Sequence, residues 1–330
     1  YDIPDECILK TGNDSVSTVV YNEAAHIGIF LTAYMGIDTY SSGKVKFRIT
    51  DATTRYISDN WPVIGETIKM RFSIDKLLKS GSITIIKCSY KVYAKNELII
   101  DIKESGGFFT QETLNNGGGI KKVMYQSNIQ STLSSAKSSC NVYMPVTNER
   151  TFSKDAVHMF LSGRTEEYFG KRVVNSKIVY EVCEDAMFVD EILEMNEHGG
   201  KYGYGYVIAR KKIESSFWPF KCHFKNDPVL PGTIMIEGLS QTFTIFQTVM
   251  GAFQTKYPFN VKLCTGYIMQ SRFRGEVKTT NKELLYRLDV KTIKQTGIDT
   301  LYVADGEVYC DEVQIIEHKN ASVIVSEEKN

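Results

Sequence analysis

Apolar and polar residues alternate with a two-residue period through much of this chain, the signature of strands buried on one face. In the N-terminal half the pattern predicts strands over 44–50, 67–74, 82–93 and 98–103. In the C-terminal half it predicts them over 266–273, 283–293, 300–303 and 308–318, with Gly81, Asn96 and Gly306 marking turns between strands. Helical spacing replaces the alternation ahead of Met35-Gly36 and again ahead of Met250-Gly251, and a shorter helix is predicted over 154–169, ending at Gly170.

The two halves share a register. Shifting the chain by 215 or 216 residues lays Tyr34-Met35-Gly36 on Val249-Met250-Gly251, Gly81 on Gly297, Val92-Tyr93 on Val308-Tyr309 and Ile99-Ile100 on Ile315-Ile316. The chain therefore reads as two copies of one unit, each a helix followed by antiparallel strands. One long helix per four or more strands implies an α+β layout in which a curved sheet wraps a central helix. Projected back by 215, the strand-forming start of the second copy (187–190 and 199–206) falls before residue 1. With no initial Met, this predicts a piece of a longer polypeptide. Between the copies, 127–147 is rich in Ser, Thr, Asn and Gln and reads as a linker.

Composition narrows the classes. Thirty-nine basic residues balance 39 acidic ones, which removes any bulk electrostatic case for nucleic acid or an anionic membrane. No apolar run approaches the ~20 residues of a membrane helix. The seven cysteines are scattered without a CxxC pair, so reduced thiols are expected rather than disulfides or a zinc site.

The most informative stretch is Cys222-His223-Phe224-Lys225-Asn226-Asp227-Pro228-Val229-Leu230-Pro231-Gly232, followed by Glu237 and Gln241 in an apolar helical pattern. A histidine, a turn held by Asp-Pro and Pro-Gly, and a helix starting at the glycine put an imidazole beside a helix N-terminus. Its unbonded N–H groups and positive dipole end can polarise a carbonyl. This is equipment for acid–base chemistry on an acyl carbonyl. His158, His198 and His318 lie in polar stretches and are expected at the surface. Tyr202, Tyr204 and Tyr206 alternate as in a strand, and the glycines at 199, 200, 203 and 205 lack the context of a dinucleotide loop.

From His223 to Gln241 the sequence resembles the hotdog-fold 3-hydroxyacyl-thioester dehydratases of fatty-acid synthesis, whose motif is a His-Phe pair, the same turn, and an acid on the helix fourteen residues after the histidine. The resemblance extends to Met187-Phe188-Val189-Asp190, Gly199–Tyr206, Phe217-Trp218 and Phe273-Arg274-Gly275-Glu276-Val277. It also takes in Tyr1-Asp2-Ile3-Pro4, Glu23 ahead of 31–38, and Gly106-Gly107-Phe108-Phe109-Thr110. These segments look like the dehydratase regions of polyunsaturated-fatty-acid synthases. Two departures stand out: Glu191, where the family usually has arginine, and His26, near a usual glutamine.

The resemblance implies a double hotdog: an N-terminal hotdog over 1–126, a linker with a short helix over 127–182, and a C-terminal hotdog over 183–330. It implies dehydration of a 3-hydroxyacyl-acyl-carrier-protein to the 2-enoyl thioester, with double-bond isomerisation as a related activity. Histidine suits the base, since its ordinary pKa is ~6.5, and a carboxyl buried in an apolar tunnel would keep the proton it donates.

The implied catalytic set is His223 as base, the Gly232 N–H on the thioester carbonyl, and an acid from the opposite copy. Glu23 is preferred over Glu237 for that acid. Ile8 and Leu9 occupy the projected position of a second histidine, so one live site is expected. Phe224, Asp227, Pro231 and Gln241 would line the substrate. No metal or redox cofactor is implied, because proton transfers suffice; the substrate would travel on the phosphopantetheine of an acyl carrier protein. Carrier protein and neighbouring synthase domains are the implied partners, as a monomer or a homodimer, in the cytoplasm. Two alternatives stay open: a non-catalytic pseudo-dehydratase that docks carrier protein or scaffolds its neighbours, and a thioesterase on the same fold.

Overall fold

The computed structural model describes residues 2–3, 7, 16–37, 41–81, 83–121, 143–170, 181–254 and 259–327. Its first half runs α1 (Thr18–Tyr34), β1 (Val45–Tyr56), β2 (Ile68–Ser80), β3 (Ile83–Ala94), β4 (Glu97–Thr110) and α2 (Gln111–Asn116). There follow α3 (Lys154–Leu161), α4 (Thr165–Phe169), β5 (Glu191–Asn196), β6 (Tyr206–Lys212), α5 (Pro219–Cys222) and α6 (Gly232–Val249). The chain closes with β7 (Phe259–Leu263), β8 (Ile268–Phe273), β9 (Glu283–Thr296), β10 (Asp299–Cys310) and β11 (Val313–Glu327).

All of these strands join one antiparallel sheet in the order β2-β3-β4-β1-β8-β11-β10-β9-β6-β5, with β7 added on β11. The halves meet where β1 pairs with β8, Asp51 opposite Arg272 through Arg55 opposite Ile268. The internal repeat is visible in the backbone. Gly81 and Gly297 take positive φ at one hairpin of each copy, Lys95-Asn96 and Asp311-Glu312 at the next, and Gly36 and Gly251 after the long helices.

Each copy has its own core. Tyr21 and Ile29 of α1 pack with Ile68, Ile86, Tyr90 and Ile102 of the first copy's strands. Ile234, Leu239, Phe243 and Phe246 of α6 pack with Val207, Leu284, Tyr286 and Val308 of the second. Each such side chain contributes roughly 1.5–3 kcal/mol when fully buried. Of the 18 residues of α6, 14 are buried, so this helix is enclosed on nearly all sides. It seats closely because Gly238 has no Cβ; one would fall 2.4 Å from Cζ of Tyr286. The two long helices also touch each other.

Several expectations need correction. Gly306 is not a turn: β10 runs through it with a bulge, and the hairpin comes at Asp311-Glu312. The helix expected over 154–169 is two helices, broken at Gly163 by a positive φ. The expected 127–182 linker is partly outside the described residues. Its described part is no loose tether: Ala156, Val157, Phe160 and Leu161 of α3 enter the second core, and Phe152 bridges to Ile192 of β5. The second packed unit therefore begins well before residue 183. Only Tyr206 of the alternating tyrosines lies in a strand, because Lys201–Tyr204 form turns. His318 is buried, its Nδ1 2.8 Å from the Ser271 hydroxyl, since the cross-strand β8–β11 contact covers it.

Candidate active site

His223 caps the one-turn helix α5, its N–H bonded to the Pro219 carbonyl at 2.9 Å. The turn after it closes on itself: Phe224 and Asp227 exchange backbone hydrogen bonds, and the Val229 N–H reaches the His223 carbonyl at 2.9 Å. The decisive contact is 3.0 Å from His223 Nδ1 to the Val229 carbonyl oxygen. A carbonyl only accepts, so Nδ1 carries the hydrogen and Nε2 presents its lone pair away from the turn. Phe224 stacks on the imidazole at 4.0 Å between ring centroids.

Pro231 and Gly232 start α6, and no side chain caps its first turn. A Cβ on Gly232 would meet the Phe273 ring at 2.7 Å, so only glycine lets α6 begin this close to β8. The Thr233 hydroxyl donates to Oε1 of Glu23, which comes from α1 of the other copy. Glu23 is thereby delivered to the N-terminus of α6, within electrostatic reach of the His223 ring. His223, Gly232, Thr233, Phe224 and the cross-copy Glu23 thus converge at one end of α6.

Glu237 lies elsewhere. Its Oε2 accepts from Ser17 at 2.9 Å, and Ser17 also receives the Val19 N–H at the start of α1. The arrangement is reciprocal: each long helix sends a carboxyl to a hydroxyl residue at the other's N-terminus. Gln241 braces this second site. It donates to Glu237 at 3.3 Å and to the Ala186 carbonyl at 2.8 Å, and accepts from the Phe188 N–H at 2.8 Å. Its amide is therefore engaged by backbone rather than turned to a ligand. Ile8 and Leu9, at the projected place of a second histidine, lie outside the described residues.

The two carboxyls are driven in opposite directions. Burial pushes Glu237 up, with Ser17 and Gln241 only partly opposing it. Burial acts the same way on Glu23, but the hydrogen bond and charge of His26, helped by the Thr233 hydroxyl and the nearby His223 ring, outweigh it and hold Glu23 below its ordinary value. The upward push that burial was expected to give the acid therefore prevails at Glu237 and is overturned at Glu23. Asp227 also departs from expectation: Lys46 and Arg48 of β1 take its carboxylate at 2.6 Å each, so it anchors the His223 turn to the other copy. Glu191, at the usual arginine position, pairs with Arg210 of β6, and Asp190 pairs with Lys211 at 2.9 Å.

Sequence reading missed Thr233, Ser17, Glu104 and the Lys46–Arg48 pair. Glu104 carried a signal, because it is in phase with the core residues Ile100 and Ile102 on β4, where an apolar side chain is expected.

Residues 184–319, which hold the histidine turn and α6, match the FabA-like domain family. Over nearly the whole chain there is similarity to one of the polypeptides of the polyunsaturated fatty acid synthase of Thraustochytrium sp., 26% identical over 299 residues, covering 89% of this chain and 20% of that protein. The chain thus spans about a fifth of that relative's length. Among solved structures, an acyl-ACP thioesterase from Bacteroides thetaiotaomicron aligns at TM-score 0.48 and 11% identity, covering 99% of this chain and 96% of that one. The dehydratase domain of the CurJ module of curacin polyketide synthase aligns at 0.44 and 7%, covering 85% and 75%. No helix among the described residues is long and apolar enough to cross a membrane.

Proposed function

We propose that this chain is a double-hotdog dehydratase of a multidomain fatty-acid or polyketide-type synthase. It would convert a 3-hydroxyacyl group, carried on the phosphopantetheine of an acyl carrier protein, to the 2-enoyl thioester. The observation that carries the reading is the Nδ1 bond from His223 to the Val229 carbonyl, which leaves Nε2 as a base beside an uncapped helix N-terminus.

The Gly232 N–H polarises the thioester carbonyl, which acidifies C2. Nε2 of His223 takes the C2 proton, electrons of the C–H bond form the C2–C3 double bond, and the C3–O bond breaks. Glu23, held as a carboxylate, accepts the hydrogen bond of the 3-hydroxyl and steadies the imidazolium of His223. The imidazolium returns its proton to the departing oxygen, which leaves as water. One base and one anion suffice, and no metal or redox cofactor takes part. Glu237 stands outside this site.

The test is incubation of the chain with a 3-hydroxyacyl-pantetheine or the acyl carrier protein form, following loss of one water by mass spectrometry. His223→Ala should cost on the order of 10²–10⁴ in kcat, and Glu23→Gln should also lower it, while Glu237→Gln stays active. Wild-type carrier-protein binding without turnover would replace the proposal with a scaffold. Release of free acid would replace it with a thioesterase.

A further inference from the structure

His26 sits one helical turn beyond Glu23 on α1 and has no place in the elimination just described. Both of its ring nitrogens face carboxylates. Nε2 lies 3.1 Å from Oε1 of Glu104, and Nδ1 lies 3.6 Å from Oε1 of Glu23. A neutral imidazole has one N–H and would turn a lone pair on one of these anions, whereas an imidazolium satisfies both. Glu104 is itself buried on β4, and its other oxygen accepts from the Tyr90 hydroxyl at 2.6 Å. Tyr90 belongs to β3, lies against the His26 ring edge-on at 5.9 Å, and bonds Cys88 at 3.1 Å. Phe72 of β2 also packs on Tyr90, at 5.2 Å between ring centroids.

We propose that His26 is a positioning residue for the dehydration, a part-buried cation clamped between Glu104 and Glu23 that keeps Glu23 a carboxylate at the N-terminus of α6. The inference rests on the dehydratase reading and adds the device that sets the state of its anion.

The groups facing His26 agree with this from every side. From β4 comes Glu104, from β3 Tyr90 with Cys88 bonded to its hydroxyl, from its own helix Glu23, and across Glu23 stand Thr233 and His223. Burial alone would lower the His26 pKa, but Glu104 and then Glu23 overturn it and raise it to about 10. Burial is likewise the largest influence on Glu23 and raises it; His26 is the largest opposing one. Remove His26, and burial regains control of Glu23. The carboxyl then takes up a proton at higher pH and no longer offers an anion to the substrate hydroxyl and the His223 imidazolium.

Two measurements on the whole chain test this. In the first, histidine ring nitrogens are titrated by NMR; there are five histidines, and His26→Gln identifies the signal. The expected result is one ring protonated on both nitrogens well past neutrality, titrating near pH 10, and moved to lower pH in Glu104→Gln. A His26 that titrates in the ordinary range overturns the proposal, whether or not the chain is an active dehydratase.

In the second, kcat/KM is followed against pH for wild type, His26→Gln and Glu104→Gln. Both variants should move the acid limb to higher pH, losing several-fold more activity near about pH 6 than near about pH 8. A uniform loss with unchanged limbs means His26 only supports the fold, and overturns the proposal. Absence of wild-type turnover defeats the dehydratase reading, while the NMR titration still decides the clamp.

Discussion

Replacing Arg48 by Met tests whether the joint between the copies controls the His223 turn. Arg48 projects from β1 of the first copy. Its Nε and one terminal nitrogen reach Oε2 of Glu276 at 2.9 and 2.6 Å, and the other reaches Asp227 at 2.6 Å. The three side chains are 15%, 14% and 16% exposed, so solvent screens them only partly. Hydrogen bonds to charged groups are worth ~1.5–3 kcal/mol each. Lys46 and Lys278 remain to hold Asp227 and Glu276. A net loss of ~2–3 kcal/mol follows, since neither carboxylate is stranded. Met keeps the aliphatic stem, so the loss reports charge and hydrogen bonding rather than packing.

Activity should suffer separately, because Asp227 closes the turn that aims His223. Loosening it should lower kcat about 10-fold, given that misplacement by ~1 Å costs ~10². Urea unfolding and kcat would be measured for Arg48→Met, Asp227→Asn and the double variant. Burial opposes ionisation of both acids, but Arg48 and Lys46 on Asp227, and Lys278 and Arg48 on Glu276, hold them below their ordinary values. Their contribution is therefore complete above the unfolded pKa values of ~4 and is lost as pH falls further. The gap between wild type and Arg48→Met should be constant near neutrality and close in acid. Additivity in the double-mutant cycle, against the expected coupling of ~1 kcal/mol or more, would refute the reasoning.

Two further substitutions probe the helices. Glu237→Gln should leave kcat within about threefold, or ~0.7 kcal/mol. It should also equal or exceed wild type in thermal stability at neutral pH, because a carboxyl raised by burial costs stability as pH climbs above its unfolded value; a clear loss would show that the charge is needed. Gly238→Val would push a side chain into Tyr286, whose ring already lies 2.4 Å from the missing Cβ, and should destabilise by ~1–3 kcal/mol in chemical denaturation.

What the sequence revealed, and what it hid, divides by the range of the interaction. The repeat was legible because turn chemistry is local: Gly81 and Gly297 are demanded by backbone sign alone, so they survive at matching places in both copies. The histidine turn was legible for the same reason. Gly306 misled because a bulge pressed against Leu239 also wants glycine, and nothing within its own strand distinguishes the two needs. The charged clamp on Asp227 was invisible, since Lys46 and Arg48 lie some 180 residues away and reach it only through β1–β8 pairing and the fold of the turn. The state of Glu23 was misjudged likewise: burial was foreseen, but Glu104, Tyr90 and the charge on His26 come from three different elements.

Those long-range contacts explain how two nearly equivalent carboxyls become different groups. Glu23 and Glu237 each lean on a hydroxyl at the start of the opposite helix. By local geometry they are partners in a pseudo-twofold arrangement, and burial drives both towards the neutral form. Glu23 is surrounded by two histidines, one of them anchored by a second buried acid. Glu237 has a serine and a glutamine, neither of which carries charge. Hydrogen bonds from neutral donors do not overcome burial at Glu237, whereas a fixed neighbouring cation does at Glu23. An elimination that uses His223 for both proton transfers needs an anion beside it and gains nothing from a neutral acid. The asymmetry between the copies thus follows from where the histidines fall, and the carboxyls themselves need not differ at all.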